Sequence, residues 1–320
     1  MSEIKTPTDR LAYEGDITPY IKQLCTYFDI GNFRDATVIE VGYEDCNVIV
    51  ETDQAKFVAK LFSKNRTAEE IARYVTIMEK VIEAGVSHPA LLKTTLGDAI
   101  FYSGGLSCVL MPFVKGKTFY ELDRAPDEAE LKEVIEQAKK INAIDYKPEY
   151  LFDSWAIPNI KIMLEKVRQF VAPDDLGLAE EAVKRYEAIP IDDLPHTFVH
   201  GDLTKANVMI TGDNKICVFD FSVANWYPRI QELAVITANL LYDKTNQCSL
   251  QEMCEIVADE YGSLTPQERQ YLSAYALAGI AMEFLGAHQE KYINGIDNEE
   301  NNYWMNLGRE GLQKVLAINQ

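Results

Sequence analysis

The chain has 320 residues, 47% of them apolar, and a formal net charge of −19 at pH 7. That length and apolar content support a sizeable core, in one large domain or two lobes, and argue against disorder. A field of that sign repels phosphate backbones, which argues against DNA or RNA as a partner, and it suits a small cationic substrate.

The six cysteines are scattered, with no C-x-x-C pair and no histidine cluster beside them, so the pattern reads as reduced thiols in a cytoplasmic protein rather than a zinc site. The N-terminal MSEIKTPTDR lacks the apolar stretch of a signal peptide, and no window of about 18 apolar residues suggests a membrane span.

Residues 16–28 read as a helix, with Thr18 as N-cap and Pro19 at the first helical position. Strand-like segments follow at 36–41, 47–52 and 56–62, the last two joined as a hairpin. A helix is expected over 67–84, opened by a capping box of Thr67 and Glu70, with Ile71, Val75, Met78 and Ile82 as its apolar stripe. Two more strands are expected at 99–103 and 107–113. Beyond KGKTF, helices are expected over 127–143, 159–171, 178–188, 229–242, 249–260, 265–289 and 299–317, interrupted by one β-pair. The reading is therefore an α+β chain of two parts, a β-rich one over 1–113 and a mainly helical one over 114–320, with a ligand cleft expected between them.

The interrupting β-pair carries the conspicuous polar residues, in FVHGDLTKANVMITGDNKICVFDF over 198–221. A tight turn at TGDN brings Asn207 and Asp220 side by side, offering two hard oxygen ligands of the kind magnesium takes while keeping water and phosphate in its shell. Asp202 then stands nearby, able to accept a proton from a hydroxyl or to hold it in line with a phosphorus atom. A divalent cation also explains why Asp220 is placed between two phenylalanines, where an uncompensated charge is costly. The bland alternative is a turn with capping Asp and Asn residues.

H-G-D-L-T-K-A-N followed by D-F-S resembles the aminoglycoside phosphotransferase and choline kinase family, including its homoserine and hydroxylysine kinase relatives. The resemblance spans nearly the whole chain, but only 198–221 is specific. It implies a bilobal, protein-kinase-like fold and transfer of the γ-phosphate of ATP to a small-molecule hydroxyl with Mg2+. By that resemblance Asp202 is the catalytic base and Asn207 and Asp220 hold the metal. Lys60 in KFVAKLF is the strand lysine that grips the α- and β-phosphates, with Val58 on its face. A helix glutamate should orient that lysine; Tyr74 occupies its usual place, so Glu70, one turn earlier, is the candidate, with Glu69 behind it.

The phosphate-covering loop is expected near GYEDCN, with Asn47 approaching the phosphates and two acidic residues that must point away from them. In VLMPFVKGKTF, the Pro112 carbonyl and the Val114 N–H are the expected adenine partners. Lys205 is placed to reach the γ-phosphate. In the family's D-x-A position stands Glu232, which Arg229 can pair at i, i+3. Trp226, Tyr227, Glu283, Tyr303 and Trp304 are candidates for a cationic amine pocket, or plain core. Gly201 in place of Arg, Ser222 in place of Gly and the lack of an A-P-E stretch argue against a protein kinase; that activity, or a nucleotide-binding module without turnover, is the alternative.

Overall fold

The computed structural model describes residues 6–13, 15–242 and 248–317; the first five, part of the stretch read above for a leader, lie outside it. The chain divides into two compact units, one of residues 1–83 with 88–115 and one of 84–87 with 116–320. The segment 84–87 belongs with the second unit because its backbone is tied there: the Gly85 carbonyl accepts from Lys140 Nζ at 2.8 Å, Ser87 N donates to Gln137 Oε1 at 2.7 Å, and the Ser87 carbonyl accepts from Val218 N at 2.9 Å.

The first unit is a five-stranded antiparallel sheet with two helices. In chain order it holds α1 (Thr18–Tyr27), β1 (Phe33–Val38), β2 (Cys46–Thr52), β3 (Lys56–Leu61), α2 (Ala68–Glu83), β4 (Phe101–Ser103) and β5 (Leu106–Pro112), with spatial order β1-β2-β3-β5-β4. Strand alternation divides the sheet into two faces. Cys46, Val48 and Val50 of β2 and Phe57, Ala59 and Leu61 of β3 share a core with Ile21, Leu24 and Cys25 of α1. The intervening residues, Asn47, Val58 and Lys60 among them, point the other way. Thr18 is not the cap of α1; it is the first helical residue, and its N–H is received by Asp16 at 2.9 Å. Helix α2 does open on the expected box: Thr67 N donates to Glu70 Oε2 at 2.8 Å and Glu70 N to Thr67 Oγ1 at 3.2 Å. Its buried face, however, runs Ile71, Tyr74, Ile77, Met78 and Val81. That is rotated from the stripe expected through Val75 and Ile82, and it turns Tyr74 inward.

The second unit contains β6 (Gly116–Thr118), α3 (Phe119–Leu122), α4 (Glu128–Asn142), α5 (Ile160–Val167), α6 (Pro173–Glu187), β7 (His196–Val199), β8 (Val208–Thr211), β9 (Ile216–Val218), β10 (Asn225–Pro228), α7 (Ile230–Val235), α8 (Leu250–Tyr261), α9 (Pro266–Gln289) and α10 (Glu299–Ala317). Two small sheets, β10-β7 and β6-β8-β9, sit among these helices. Helix α7 widens into a π-helical turn over Ile236–Leu240, and another closes α9 over Glu290–Asn294. Helix α9 is the unit's centre, with α5, α6, α7, α8 and α10 packed around it.

The α9–α10 contact depends on close backbone approach. A Cβ on Gly308 would lie 2.5 Å from Phe284 N and 2.9 Å from Ile280 O, both main-chain atoms that cannot move aside alone. Gly308→Ala gains about 1 kcal/mol in helix propensity, yet we expect overpacking to win, with a net loss of about 1–3 kcal/mol. Urea unfolding checks this; a rise in the midpoint would show that the helices separate freely.

Candidate active site

The loop from His200 to Asn207 is held between β7 and β8. Glu232 on α7 has no solvent exposure, and its two carboxylate oxygens accept His200 N at 2.9 Å and Gly201 N at 3.0 Å. Two successive N–H groups converge on one carboxylate because Gly201 adopts φ +85°, a left-handed conformation open to glycine. The H-G-D glycine is thus a backbone requirement. Arg229 does not pair with Glu232; it forms a two-pronged bond to Glu268, at 2.9 and 2.6 Å, leaving Glu232 to the loop.

His200 is fully buried and bridges the loop's two neighbours. Its Nε2 donates to the Phe219 carbonyl at 2.8 Å and its Nδ1 accepts Asp202 N at 3.2 Å, a division of roles that requires the neutral ring. Burial lowers its pKa to about 4. Through His200, the chain just before Asp220 and the backbone of Asp202 are fixed relative to each other.

The expected hairpin forms, with Val208 opposite Val218 and Phe219 N donating to the Asn207 carbonyl at 2.9 Å. Asp220 is not inside the strand, which ends at Val218; it stands in the following turn with φ +61°, partly exposed, its Oδ1 accepting Ser222 N at 3.2 Å. The register leaves Asp220 one residue beyond the pair formed by Asn207 and Phe219. Asn207 Nδ2 donates to Asp202 Oδ2 at 2.6 Å and to the Asp202 carbonyl at 3.1 Å, so its Oδ1, not its nitrogen, is the donor a metal would use.

The Asp202 carboxyl is held well above the usual range, first by burial and then by the negative charges of Glu283, Asp153 and Asp220. Such crowding is what a divalent ion or an organic cation relieves, and the oxygen donors of Asn207 and Asp220 fit magnesium. Glu283 on α9 is itself raised to about 7 by burial, with Asn239 Nδ2 donating to it at 2.8 Å. The same Asn239 accepts Lys205 N at 2.9 Å, so the π-helical turn links Glu283 to the loop. Lys205 is a correction to the sequence reading. It is buried, and its ammonium donates to the Tyr242 carbonyl at 3.0 Å, a structural anchor rather than a group extended toward phosphate.

The lysine corner of the first unit also departs from expectation. Lys60 and Asn47 are directly opposed on β3 and β2, hence on one face. Glu70 does not meet Lys60; its carboxylate closes the cap of α2. The described counter-ion is Asp45, whose Oδ2 lies 3.2 Å from Lys60 Nζ, and the Tyr74 ring lies 5.6 Å from the same ammonium. Asp45 was legible only as an unwelcome acid in the loop; its alternation with Asn47 was the signal that it shares the lysine's face. Pro112 ends β5 and is exposed, Val114 follows half-buried, and Phe113 N is bound to the Lys56 carbonyl at 3.1 Å. Of the aromatic candidates, Trp304 is buried and Tyr303 half-buried, and both pack with the half-buried Tyr120, ring centroids 5.5 and 5.1 Å away.

A profile described as the Phosphotransferase enzyme family matches residues 35–263. The chain belongs to that family. It is a kinase with a hydroxyl of a small molecule as acceptor. A homoserine kinase of Parvibaculum lavamentivorans is 22% identical over 284 residues, spanning 85% of this chain and 84% of that one. A spectinomycin phosphotransferase in complex with AMP superposes with a TM-score of 0.69 at 10% identity, over 94% of this chain and 99% of that one. A choline kinase of Streptococcus pneumoniae does so with a TM-score of 0.65 at 10% identity, over 93% and 99%. The fold of this phosphotransferase is thereby the α+β, protein-kinase-like one. Among its described residues no helix is long and apolar enough to cross a membrane.

Glu232 and His200 oppose each other in acid. Burial raises Glu232 to about 7, so its contribution is fully present below the unfolded value near 4.5 and is lost as pH rises toward 7. His200, lowered to about 4, contributes above its unfolded value near 6.5 and loses this as pH falls. Between pH 4.5 and 6.5 the two nearly cancel. Glu232→Gln strands one buried N–H, for a loss of about 1–3 kcal/mol, and removes one of the opposing slopes. We expect stability of the variant to fall as pH drops through that window by up to about 1.4 kcal/mol per unit. Denaturant titrations at pH 4.5 and 6.5 check this; parallel wild-type and variant curves would refute it.

Proposed function

We propose that the phosphotransferase uses ATP and Mg2+ to phosphorylate a hydroxyl on a small compound that also carries a cationic nitrogen, an amino alcohol or a hydroxy amino acid. The observation that carries this is the set of carboxylates whose negative charge bears on Asp202, Glu283 and Asp153 beside Asp220, more than a metal held by Asp220 and Asn207 requires. A carboxylate pair of that kind recognises ammonium, and the relatives named for homoserine and choline act on compounds combining a hydroxyl with such a nitrogen.

In this reading Asp202 accepts a hydrogen bond from the acceptor hydroxyl, aligns it for in-line attack, and takes the proton as the phosphorus–oxygen bond forms. Asn207 Oδ1 and Asp220 hold the metal. When bound, magnesium neutralises phosphate charge and orients the γ-phosphate. Lys60, with Asn47 beside it, binds the α- and β-phosphates, while the Pro112 carbonyl and Val114 N–H bind adenine. His200 keeps Asp202's backbone fixed without itself exchanging protons near neutral pH. Six free cysteines, five of them buried, support a cytoplasmic setting.

The test is ATP consumption across a panel of small alcohols with and without a cationic nitrogen. We expect turnover on cationic members only, with Asp202→Asn lowering kcat by about a thousandfold or more while nucleotide binding persists. Turnover on neutral alcohols alone would overturn the substrate class. Glu283 must be ionised to bind a cation, and its pKa stands near 7. The KM for the acceptor should therefore rise as pH falls below 7, by about tenfold per unit at most, with the KM for ATP unchanged. Glu283→Gln should raise the acceptor KM and remove that dependence.

A further inference from the structure

The helical run that begins with α7 grips the loop of His200 to Asn207 at two places. Glu232 receives its start, His200 N and Gly201 N, and Asn239, seven residues further on, receives its middle, Lys205 N at 2.9 Å. The second grip has another arm, because Asn239 Nδ2 donates to Glu283 Oε1 on α9 at 2.8 Å. The geometry points to Asn239 as a positioning residue: it fixes the carboxylate that receives the acceptor's cationic nitrogen relative to the loop that bears Asp202, so that the nitrogen and the hydroxyl of one compound are met at a set separation. The inference rests on the cation-binding role proposed for Glu283.

Asn239 lies in the π-helical turn, where Leu241 N reaches back five residues to the Ile236 carbonyl at 2.9 Å. A turn of that width rotates its side chains away from their α-helical directions, and such turns are frequent at functional sites. Asn239 is 1% exposed and both ends of its amide are engaged, so the side chain is fixed from two sides. Glu283, by contrast, is half-buried, which leaves it surface on which to meet a ligand. The turn is seated on α9 at a glycine: a Cβ on Gly279 would lie 3.0 Å from Ala238 Cβ, and Gly279 precedes Glu283 by four residues, hence on the same face of α9. That close approach brings Asn239 within reach of Glu283. Lys205 adds a further tie, its ammonium donating to the carbonyl of Tyr242 just past the turn. The amide suits its two partners, since a carboxylate needs a donor and a backbone N–H needs an acceptor, and a primary amide offers both at one fork. Aspartate in its place keeps the acceptor and loses the donor; leucine loses both.

The measurement is steady-state kinetics with homoserine, choline and ethanolamine as acceptors, giving kcat, the acceptor KM and the KM for ATP, with melting temperatures to confirm folding. Asn239→Asp should raise the acceptor KM about tenfold, since Glu283 loses its donor and faces a second acid. Its kcat should fall by less than that, and its KM for ATP should not change. Asn239→Leu should raise the acceptor KM likewise and also lower kcat about tenfold, because the loop then loses its hold at Lys205. In the Glu283→Gln background, Asn239→Asp should raise the acceptor KM no further. An equal rise in both backgrounds would show that Asn239 acts through the fold alone, and overturns the inference. An acceptor KM like wild type's in Asn239→Asp, with Glu283→Gln raising it, overturns the inference and leaves the role of Glu283 standing. An acceptor KM unmoved in Glu283→Gln, or no turnover of any of the three compounds by wild type, overturns the cation-binding role and the inference with it. If Asn239→Asp does not fold, Asn239→Ser, whose hydroxyl is too short to span both partners, carries the same expectation for the acceptor KM.

Discussion

The second unit's chemistry depends on one buried carboxylate meeting two consecutive backbone N–H groups. Glu232 receives His200 N and Gly201 N with no solvent near it. Without that clamp the start of the loop carrying Asp202 and Asn207 loses its hold at His200 and Gly201, because a glycine in the left-handed region imposes little by itself; further on, Lys205 anchors it to Asn239 and Tyr242. With it, His200 is directed to the Phe219 carbonyl, and the segment bearing Asp220 is joined to the segment bearing Asp202. A buried polar group is tolerated only when its partners are in place, so the clamp and the loop conformation require each other.

Outward from the clamp, the site is a problem of excess negative charge. Asp202, Asp220, Asp153 and Glu283 are close enough to raise Asp202 far above its ordinary range. In the proposed reading the carboxylates face groups that arrive with the reactants, a metal ion at Asp220 and Asn207 and a cationic acceptor at Glu283 and Asp153. The electrostatic strain of the free site would then become binding energy when both are present, which would tie assembly of the reactive complex to the identity of the acceptor. The π-helical turn at Asn239 fits this scheme, since one amide contacts both Glu283 and the loop backbone at Lys205.

Much of this was legible in the residues, and what was not has local causes. The H-G-D-x-x-x-x-N spacing and the TGDN turn specify backbone geometry directly, so the hairpin register and the neighbouring positions of Asn207 and Asp220 follow from them. The strand alternation around Lys60 was equally readable. Errors arose where a side chain had a choice of partner. Glu70 can cap a helix or reach a lysine, and the cap, available within its own turn, wins. Lys205 has a stem long enough to reach phosphate or to fold inward, and a buried carbonyl at Tyr242 takes it inward. Arg229 lies one turn from Glu232 but meets Glu268, a residue 39 positions away that no local pattern reveals. The stripe of α2 was read through Ile71, Val75, Met78 and Ile82, but the helix is apolar on adjoining faces, and the tertiary core selected the one with Tyr74, Ile77 and Val81.

The account's central claim is that Asn207 and Asp220 hold the divalent ion beside Asp202. Anomalous scattering from crystals grown with Mn2+ and an ATP analogue tests it most directly. The predicted result is a manganese peak within coordination distance, about 2.0–2.3 Å, of Asn207 Oδ1 and an Asp220 oxygen, with Asp202 outside its shell. A peak centred instead between Glu283 and Asp153, with Asn207 and Asp220 unliganded, would contradict both the metal assignment and the cation-binding role given to that pair.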